Sequence, residues 1–440
     1  MALAKGSQTI VLQLMRNSEY FKNKKVTIVG LARSGVACAN LLYRLKARVS
    51  VTDIKDDPQR RQACAKLCSS EIKVELGKHS QDLIKQADLV VISPGVPLNS
   101  LCVNWAKKFN KLLISEIEVA SILCPAQVIA VTGSNGKTTV TTLIAKALSA
   151  GQKKVFVCGN IGNPFCSEVE KMQKGDFVVL EVSAFQLETI KDFKPKIAVI
   201  LNLTPNHMDR YNNLQEYLDA KKRIFMNQDR NDFLVLNADD PVLSAAAFVF
   251  KSKVVFFTKE GGLNLNQSAV LTVGRILGVE LGKMLKVFQE FKGIQHRLEE
   301  VAEINGVKFI NDSKATTADS AIWAMSNISS PIILIAGGRH KGIDYRVILD
   351  AARDKVKHAF LFGEAKDIIA SDLNGGCFSI DKVDTLKEAV TKAYYQASPG
   401  YYVLLSPVCS SYDMFTDYEE RGRAFKRIVL DLGQEEKQHG

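Results

Sequence analysis

The chain has 440 residues, 46% of them hydrophobic and 24% charged, which describes folded globular material and excludes disordered, fibrous and low-complexity polymers. At that length about three domains are expected. The net charge of +11, from 58 basic and 47 acidic residues, is spread along the chain and not gathered into an arm, which favours anion pockets in a solvated surface over a nucleic-acid site.

Nine cysteines, an odd number without a CxxC pair, point to a reducing compartment, and Cys64 and Cys68 at helical spacing read as buried or half-buried thiols. The run Ile10–Met15 is too short for a secretory h-region, and no apolar stretch approaches the ~20 residues of a membrane span. A cytoplasmic protein with no membrane insertion is expected.

From Lys25 the pattern predicts a strand (Val26–Val29), a Gly-rich turn, a helix (Val36 to Leu45), a strand (Arg48–Val51) leading to Asp53, and a later strand (Asp88–Ile92) ending in Ser93-Pro94-Gly95. This is βαβ logic with a parallel sheet. The turn Gly30-Leu-Ala-Arg-Ser-Gly35 carries Ala32 at the second Gly of a dinucleotide fingerprint, while Asp53 stands where a ribose-binding carboxylate belongs. On these residues a dinucleotide, a nucleotide diphosphate and a plain structural turn all stay open.

A second cycle follows, with strands predicted at Val128–Val131, Val155–Val157, Phe177–Leu180 and Ile197–Leu201. The first runs into Thr132-Gly133-Ser134-Asn135-Gly136-Lys137-Thr138-Thr139, a shortened phosphate loop with Val131 where the first Gly of the standard pattern would stand. Backbone N–H groups at the turn and at the following helix N-terminus suit phosphates, Lys137 suits the β/γ oxygens, and the Thr138 hydroxyl suits Mg²⁺. The other strands end in Cys158-Gly-Asn160, Glu181-Val-Ser183 and Asn202-Leu-Thr-Pro-Asn-His207, the carboxyl edge where open α/β sheets bind ligands. Glu181 and His207 are therefore candidate ligands of a magnesium ion beside a triphosphate.

A third cycle is predicted at Val307–Ile310, Pro331–Ile335, Ala359–Phe362 and Tyr401–Leu405. Its polar ends are Asn311-Asp312-Ser-Lys314, Gly337-Gly-Arg-His-Lys341, Gly363-Glu364 and Ser406-Pro-Val-Cys-Ser-Ser411.

Taken in order, the phosphate loop, Gly159-Asn160-Ile-Gly162, Glu181-Val-Ser-Ala-Phe-Gln-Leu-Glu188, His207-Met-Asp-Arg-Tyr211, Asn237-Ala-Asp-Asp240, His296-Arg297, Asn311-Asp-Ser-Lys-Ala-Thr316 and Ser406–Ser411 resemble the Mur ligases, from about Lys25 to Arg427. Within that family the strings at 185–188, 207–211 and 312–316 are similar to those of the members that add D-glutamate. The resemblance implies an α/β chain of three domains: a Rossmann-like UDP-binding domain (1–114), a central P-loop-type ATPase domain (115–294) and a C-terminal Rossmann-like domain (295–440). It implies ATP-dependent joining of UDP-N-acetylmuramoyl-L-alanine to D-glutamate through an acyl phosphate, as part of peptidoglycan precursor synthesis. A monomer is expected.

By the same resemblance, residues 133–139 hold the ATP phosphates, Thr138 and Glu181 serve a first Mg²⁺, and His207 serves a second together with a carbamylated Lys221. Arg33 and Ser34 would contact the diphosphate, Asp53 and Lys55 the uridine end, Ser93 to Gly95 the pocket wall, and Asn160 the substrate. Asn266 would serve the adenine, Asp312 the ribose, and Arg297 and Lys314 the charge of the nucleotide. Thr316, Lys341, Ser411 and Tyr418 would take the D-glutamate carboxylates. Because the ATP loop and the amino-acid residues lie in different domains, closure is expected.

Departures from the family pattern are Asn206 before His207, a short segment between Asp240 and Asn266 with Ala269 in place of a second Asn, and Arg339 where an acidic residue is often found. Another ligase of the superfamily, a folylpolyglutamate synthase or a sibling Mur enzyme, fits the same ATP chemistry. A non-catalytic nucleotide switch or a dehydrogenase leaves Glu181, His207 and Lys314 without a purpose.

Overall fold

A computed structural model describes residues 19–204, 210–245, 251–291, 293–328, 331–340 and 342–439. His207 and Lys341, with Asn206, lie outside the described residues. Contacts divide the chain into two units, Met1–Phe291 and Lys292–Gly440, each considered by itself.

The first unit holds two parallel sheets. One comprises β1 (Lys25–Val29), β2 (Arg48–Asp53), β3 (Lys73–Leu76), β4 (Leu89–Ile92) and β5 (Leu112–Ser115) in the order β3-β2-β1-β4-β5. The other comprises β6 (Gln127–Thr132), β7 (Val155–Gly159), β8 (Phe177–Glu181), β9 (Ile197–Ile200), β10 (Phe233–Asn237) and β11 (Lys253–Phe257) in the order β11-β10-β9-β6-β8-β7. The central strands of both are continuous apolar runs, as strands covered on both faces must be. The order reverses between β1 and β4 and between β6 and β9, so the loops after these strands open onto the switch-point crevices where ligands bind.

Among the helices that matter for the site, α1 (Arg33–Arg44) follows β1, α2 (Glu116–Leu123) joins the two sheets, and α3 (Lys137–Ala150) follows β6. Short α4 (Phe165–Glu168) and α5 (Ala184–Leu187) follow β7 and β8, and α6 (Leu214–Lys222) and α7 (Leu265–Ile276) come later. Helix α1 starts three residues before the predicted Val36, because the turn hands its backbone directly to the helix: Val36 N–H donates to Ala32 O at 2.9 Å.

One hydrophobic core runs through both sheets, with Cys38, Leu41 and Leu42 of α1 and Phe165, Cys166 and Val169 of the α4 region all within it. Burying one such aromatic contributes roughly 2–3 kcal/mol. Two buried glutamates of α2 reinforce the junction. Glu116 accepts from Cys166 N–H at 2.6 Å, and Glu118 accepts from the N–H groups of Lys191, Asp192 and Phe193 at 2.8–3.1 Å. Burial pushes the Glu116 carboxyl up to about 7 against its donors at Cys166 and Phe165.

The second unit carries β12 (Glu299–Ile304), β13 (Val307–Asn311), β14 (Ile332–Gly337), β15 (Val356–Phe362), β16 (Ser379–Lys382) and β17 (Tyr402–Leu405), ordered β12-β13-β17-β14-β15-β16. All neighbours are parallel except β12 and β13. Its last helix, α8, spans Tyr418–His439.

The reading of Cys68 as a buried or half-buried thiol is corrected: Cys68 is exposed, because the helix carrying Cys64 ends at that residue and the helical spacing does not extend to 68.

Candidate functional site

At the carboxyl edge of the second sheet the phosphate loop is tied to the loop that follows β9. Ser134 N–H donates to Asn202 O (3.1 Å), Asn135 N–H to the Asn202 side-chain oxygen (2.8 Å), and the Asn202 amide back to Asn135 O (3.1 Å). Ser134 Oγ donates to Thr204 O at 2.9 Å. Gly136 sits at φ 82°, a conformation that favours glycine, and a Cβ there would lie 2.4 Å from Asn266 Oδ1, so the Asn266 side chain would have to move. The same contact puts the Asn266 side chain against the phosphate loop.

Helix α3 begins at Lys137, and its first N–H groups have no intrahelical acceptor, which makes the loop an anion seat. Lys137 Nζ folds back onto Gly133 O (2.9 Å) and Ser134 O (2.8 Å), Thr139 is half-buried one turn in, and Thr138 Oγ1 donates to Glu181 Oε2 at 2.7 Å. The other Glu181 oxygen accepts from Asn160 Nδ2 at 2.8 Å. Glu181 and Thr138 are both 2% exposed. A carboxylate held by a hydroxyl and an amide at a strand end is a hard oxygen donor of the kind a divalent cation takes.

Lys221 lies within the same cluster. It is 1% exposed, so it does not belong to a solvated helix face, whereas Lys222 is half-buried and pairs with Asp219. The Lys221 ammonium donates to Gly133 O at 3.0 Å and stands 4.3 Å from the Tyr217 ring centroid. Burial, and after it the charge of Lys137, holds its pKa well below the ordinary lysine range.

At the switch point of the first sheet, Gly35 packs so closely under the turn that a Cβ would sit 2.1 Å from Gly30 O. Ser93 Oγ donates to Gly30 O at 3.0 Å. Asp53 is buried and braces this turn, accepting from Leu31 N–H (2.8 Å) and Lys55 N–H (2.9 Å), with Arg60 Nε at 3.4 Å. Ser34 is half-buried at the start of α1, while Lys55 and Gly95 are exposed. The exposed Arg33 reaches the second sheet, donating to Gly162 O at 2.6 Å.

In the second unit, Asp312 is 3% exposed. Its carboxylate accepts from Leu298 N–H (3.2 Å) and Ser406 Oγ (3.3 Å), and burial lifts it to about 7 despite these donors and Arg297. The Arg297 guanidinium stands 5.5 Å from the Trp323 ring and the Lys314 ammonium 5.8 Å from the Tyr418 ring. Thr316 follows Lys314 in a tight turn, with Thr316 N–H on Lys314 O at 2.9 Å. Ser411 is buried, and the Tyr418 hydroxyl donates to Glu419 at 3.2 Å. The structure thus places Asp312, Lys314, Thr316, Ser411 and Tyr418 around the polar ends of β13 and β17. Arg339, noted for its charge, pairs with Glu364 at 3.1 Å.

Several residues that organise these edges escaped the sequence reading. Arg421 is fully buried, and its guanidinium donates to Ser313 Oγ (3.0 Å), Ser313 O (2.9 Å), Cys409 O (3.2 Å) and Gly337 O (3.4 Å), binding the ends of three strands together. It lies in the polar run Tyr418-Glu-Glu-Arg421-Gly-Arg, which reads as a solvated helix start. In sequence, Asn202 and Thr204 read only as part of a polar strand end; that they tie down the phosphate loop is visible once β9 is set beside β6. Of the family strings, Asn237 and Asp240 brace the loop after β9 through Leu201 O and Leu203 N–H.

Three family models match the chain in order: "Mur ligase MurD-like, N-terminal domain" over residues 24–115, "Mur ligase middle domain" over 131–299, and "Mur ligase, glutamate ligase domain" over 296–409. The UDP-N-acetylmuramoylalanine--D-glutamate ligase of Geotalea uraniireducens is 41% identical over 444 residues, covering 93% of this chain and 98% of its own. The enzyme of the same name from Geobacter metallireducens is 40% identical over 448 residues, covering 94% and 99%. Among solved structures, UDP-N-acetylmuramate-alanine ligase MurC of Thermotoga maritima has a TM-score of 0.57 at 20% identity, covering 93% of this chain and 99% of its own. MurF ligase of the same organism, in complex with ADP, has a TM-score of 0.56 at 16% identity, covering 96% and 97%. These structural likenesses establish the fold.

Proposed function

Because the chain belongs to the Mur ligase family, we propose that it uses ATP to join D-glutamate to UDP-N-acetylmuramoyl-L-alanine, releasing ADP and phosphate. The observation that carries this reading is the match over 93% of the chain to relatives named for that reaction. The phosphate loop, Glu181 and the buried Lys221 in one cluster agree with it. We further propose the three-domain division at 1–114, 115–294 and 295–440.

A carboxylate is a poor electrophile, since displacement would expel oxide. Phosphorylation supplies a leaving group, and the resulting acyl phosphate is open to the amine of D-glutamate. The chain's own groups serve the first step by charge: Lys137 and the N-terminus of α3 neutralise the transferring phosphoryl oxygens. The amine must also lose a proton as the peptide bond forms.

Magnesium fits the donor set, because Thr138 and Glu181 offer hard oxygens side by side at a strand end. Beside a triphosphate, phosphate oxygens and water would complete its shell. Thr138 and Glu181 would hold one ion, and His207 and a carbamylated Lys221 a second; when bound, the ions supply charge neutralisation to phosphoryl transfer. The environment of Lys221 suits that modification. A neutral amine adds to carbon dioxide, loses one proton and becomes a carbamate, turning a cation into an oxygen donor. Sugar-nucleotide contacts are assigned to Arg33, Ser34, Asp53, Lys55, Ser93, Gly95 and Asn160, the nucleotide to Asn266, Arg297, Asp312 and Lys314, and the D-glutamate carboxylates to Thr316, Lys341, Ser411 and Tyr418.

The test is ADP release with UDP-N-acetylmuramoyl-L-alanine across a panel of amino acids. D-glutamate alone is expected to support turnover. Release with L-alanine, L-lysine or a diaminopimelate instead would redirect the reading to another member of the family.

A further inference from the structure

Between the two sheets of the first unit lies a cluster that the proposed chemistry does not use. Arg210 Nη2 pairs with Glu188 Oε2 at 2.5 Å, and the same guanidinium donates to Pro94 O (3.0 Å) and Val96 O (3.4 Å) in the loop after β4. Its Cζ stands over the Phe185 ring, 4.0 Å from the centroid. The second Glu188 oxygen accepts from the Tyr211 hydroxyl at 2.7 Å. The Arg210 and Glu188 side chains are only 17% and 7% exposed. Three hydrogen-bond acceptors and a ring face around one planar fork are what arginine provides and lysine cannot.

Each end of this clasp leads to the proposed site. Glu188 closes the run that begins at Glu181, and that run is stiffened by a capping box in which Ser183 and Gln186 satisfy each other's backbone. Tyr211 packs on Tyr217 with ring centroids 5.2 Å apart, and Tyr217 lies under Lys221. At the other end, Pro94 lies within the Ser93–Gly95 loop assigned to the sugar nucleotide and Val96 directly follows it.

We infer that Arg210 is a positioning residue for sugar-nucleotide binding: with Glu188 it fixes the loop 93–96 of the first sheet against the strand end that carries Glu181. This rests on the proposed function for its substrate, but the tie itself does not. Arg210→Met and Glu188→Gln remove it from either side, and Arg210→Lys keeps the charge without the fork.

In the ligand-free protein, amides of residues 95–100 should exchange hydrogen faster in Arg210→Met and Glu188→Gln than in the native chain, with Arg210→Lys intermediate. In turnover, KM for UDP-N-acetylmuramoyl-L-alanine should rise about tenfold or more, while KM for ATP and for D-glutamate stays within about twofold. The double variant should be no worse than Arg210→Met alone, because both remove one clasp. Unchanged exchange at 95–100, or KM values rising equally for all three substrates, would overturn the inference. If the native chain shows no D-glutamate turnover, the proposed function fails, and the exchange measurement still decides whether Arg210 holds the loop. Should Arg210→Met not fold, Glu188→Gln, isosteric with the native side chain, carries the same comparison.

Discussion

Lys221 in the first unit and Arg421 in the second are both cations buried at the carboxyl edge of a sheet, 1% and 0% exposed, yet their surroundings ask opposite things of them. Lys221 rests on one carbonyl, a long contact to the Thr132 hydroxyl and a tyrosine ring, with Lys137 as its charged neighbour, and its charge is disfavoured. Arg421 has four acceptors from three strand ends; burial brings it down to about 10, which leaves it charged at neutral pH. Lysine is the side chain that burial can make neutral and reactive, and arginine the one that stays a cation and uses its fork to bind loops together. The proposed function gives the first buried cation to chemistry, while the contacts of the second give it to architecture.

The largest expected effect breaks the comparison at the lysine. Lys221→Met should lower ligase activity by about 100-fold or more while leaving thermal stability unchanged or raised, because an apolar side chain carries no desolvation penalty there. Adding short carboxylates to Lys221→Ala should restore part of the activity. Near-native turnover by either variant would refute a catalytic Lys221.

Arg421→Met should do the reverse at the folding level, costing about 3–5 kcal/mol by leaving carbonyls of three strand ends without a donor, with Arg421→Lys costing about half. The chain has two tryptophans, Trp105 and Trp323, one in each unit, so denaturant unfolding of a Trp105→Phe background reports on the second unit.

A smaller effect concerns pH. The Glu116 carboxyl is raised from 4.5 to about 7, so the folded chain holds this proton more tightly than the unfolded one. Its contribution is complete below the unfolded value and is lost as pH rises through the folded one, a change of about 3 kcal/mol between roughly pH 4.5 and 7. Glu116→Gln should remove that slope. The measurement is the stability difference between native and variant chains across that window, and a flat difference contradicts the account.

Much of this was legible in sequence because apolar runs report strands buried on both faces. β6, β8, β9, β13, β14 and β17 were found that way, and with them the positions of Glu181, Asp312 and the phosphate loop. The edge strands β3, β12 and β16 were missed because KVEL, EEVAEI and SIDK carry exposed or half-exposed charges and no continuous apolar run, and β5, β10 and β11 also went unread although LLIS, FLVLN and KVVFF are apolar. The bracing role of Asp53 and the Arg210–Glu188 pair depend on backbone groups and on partners 22 residues apart, which composition and spacing do not encode. The resemblance named Lys221; that its side chain is buried while that of Lys222 is half-buried depends on the helix orientation, which the spacing alone does not give.

The most direct test of the central claim follows oxygen atoms. With ¹⁸O in the carboxylate of UDP-N-acetylmuramoyl-L-alanine, turnover with ATP and D-glutamate should deliver one ¹⁸O to the inorganic phosphate released, because the carboxylate oxygen becomes the bridge of an acyl phosphate and leaves with phosphorus. Phosphate free of the label, with the peptide product formed, would contradict carboxylate activation by phosphoryl transfer at this site.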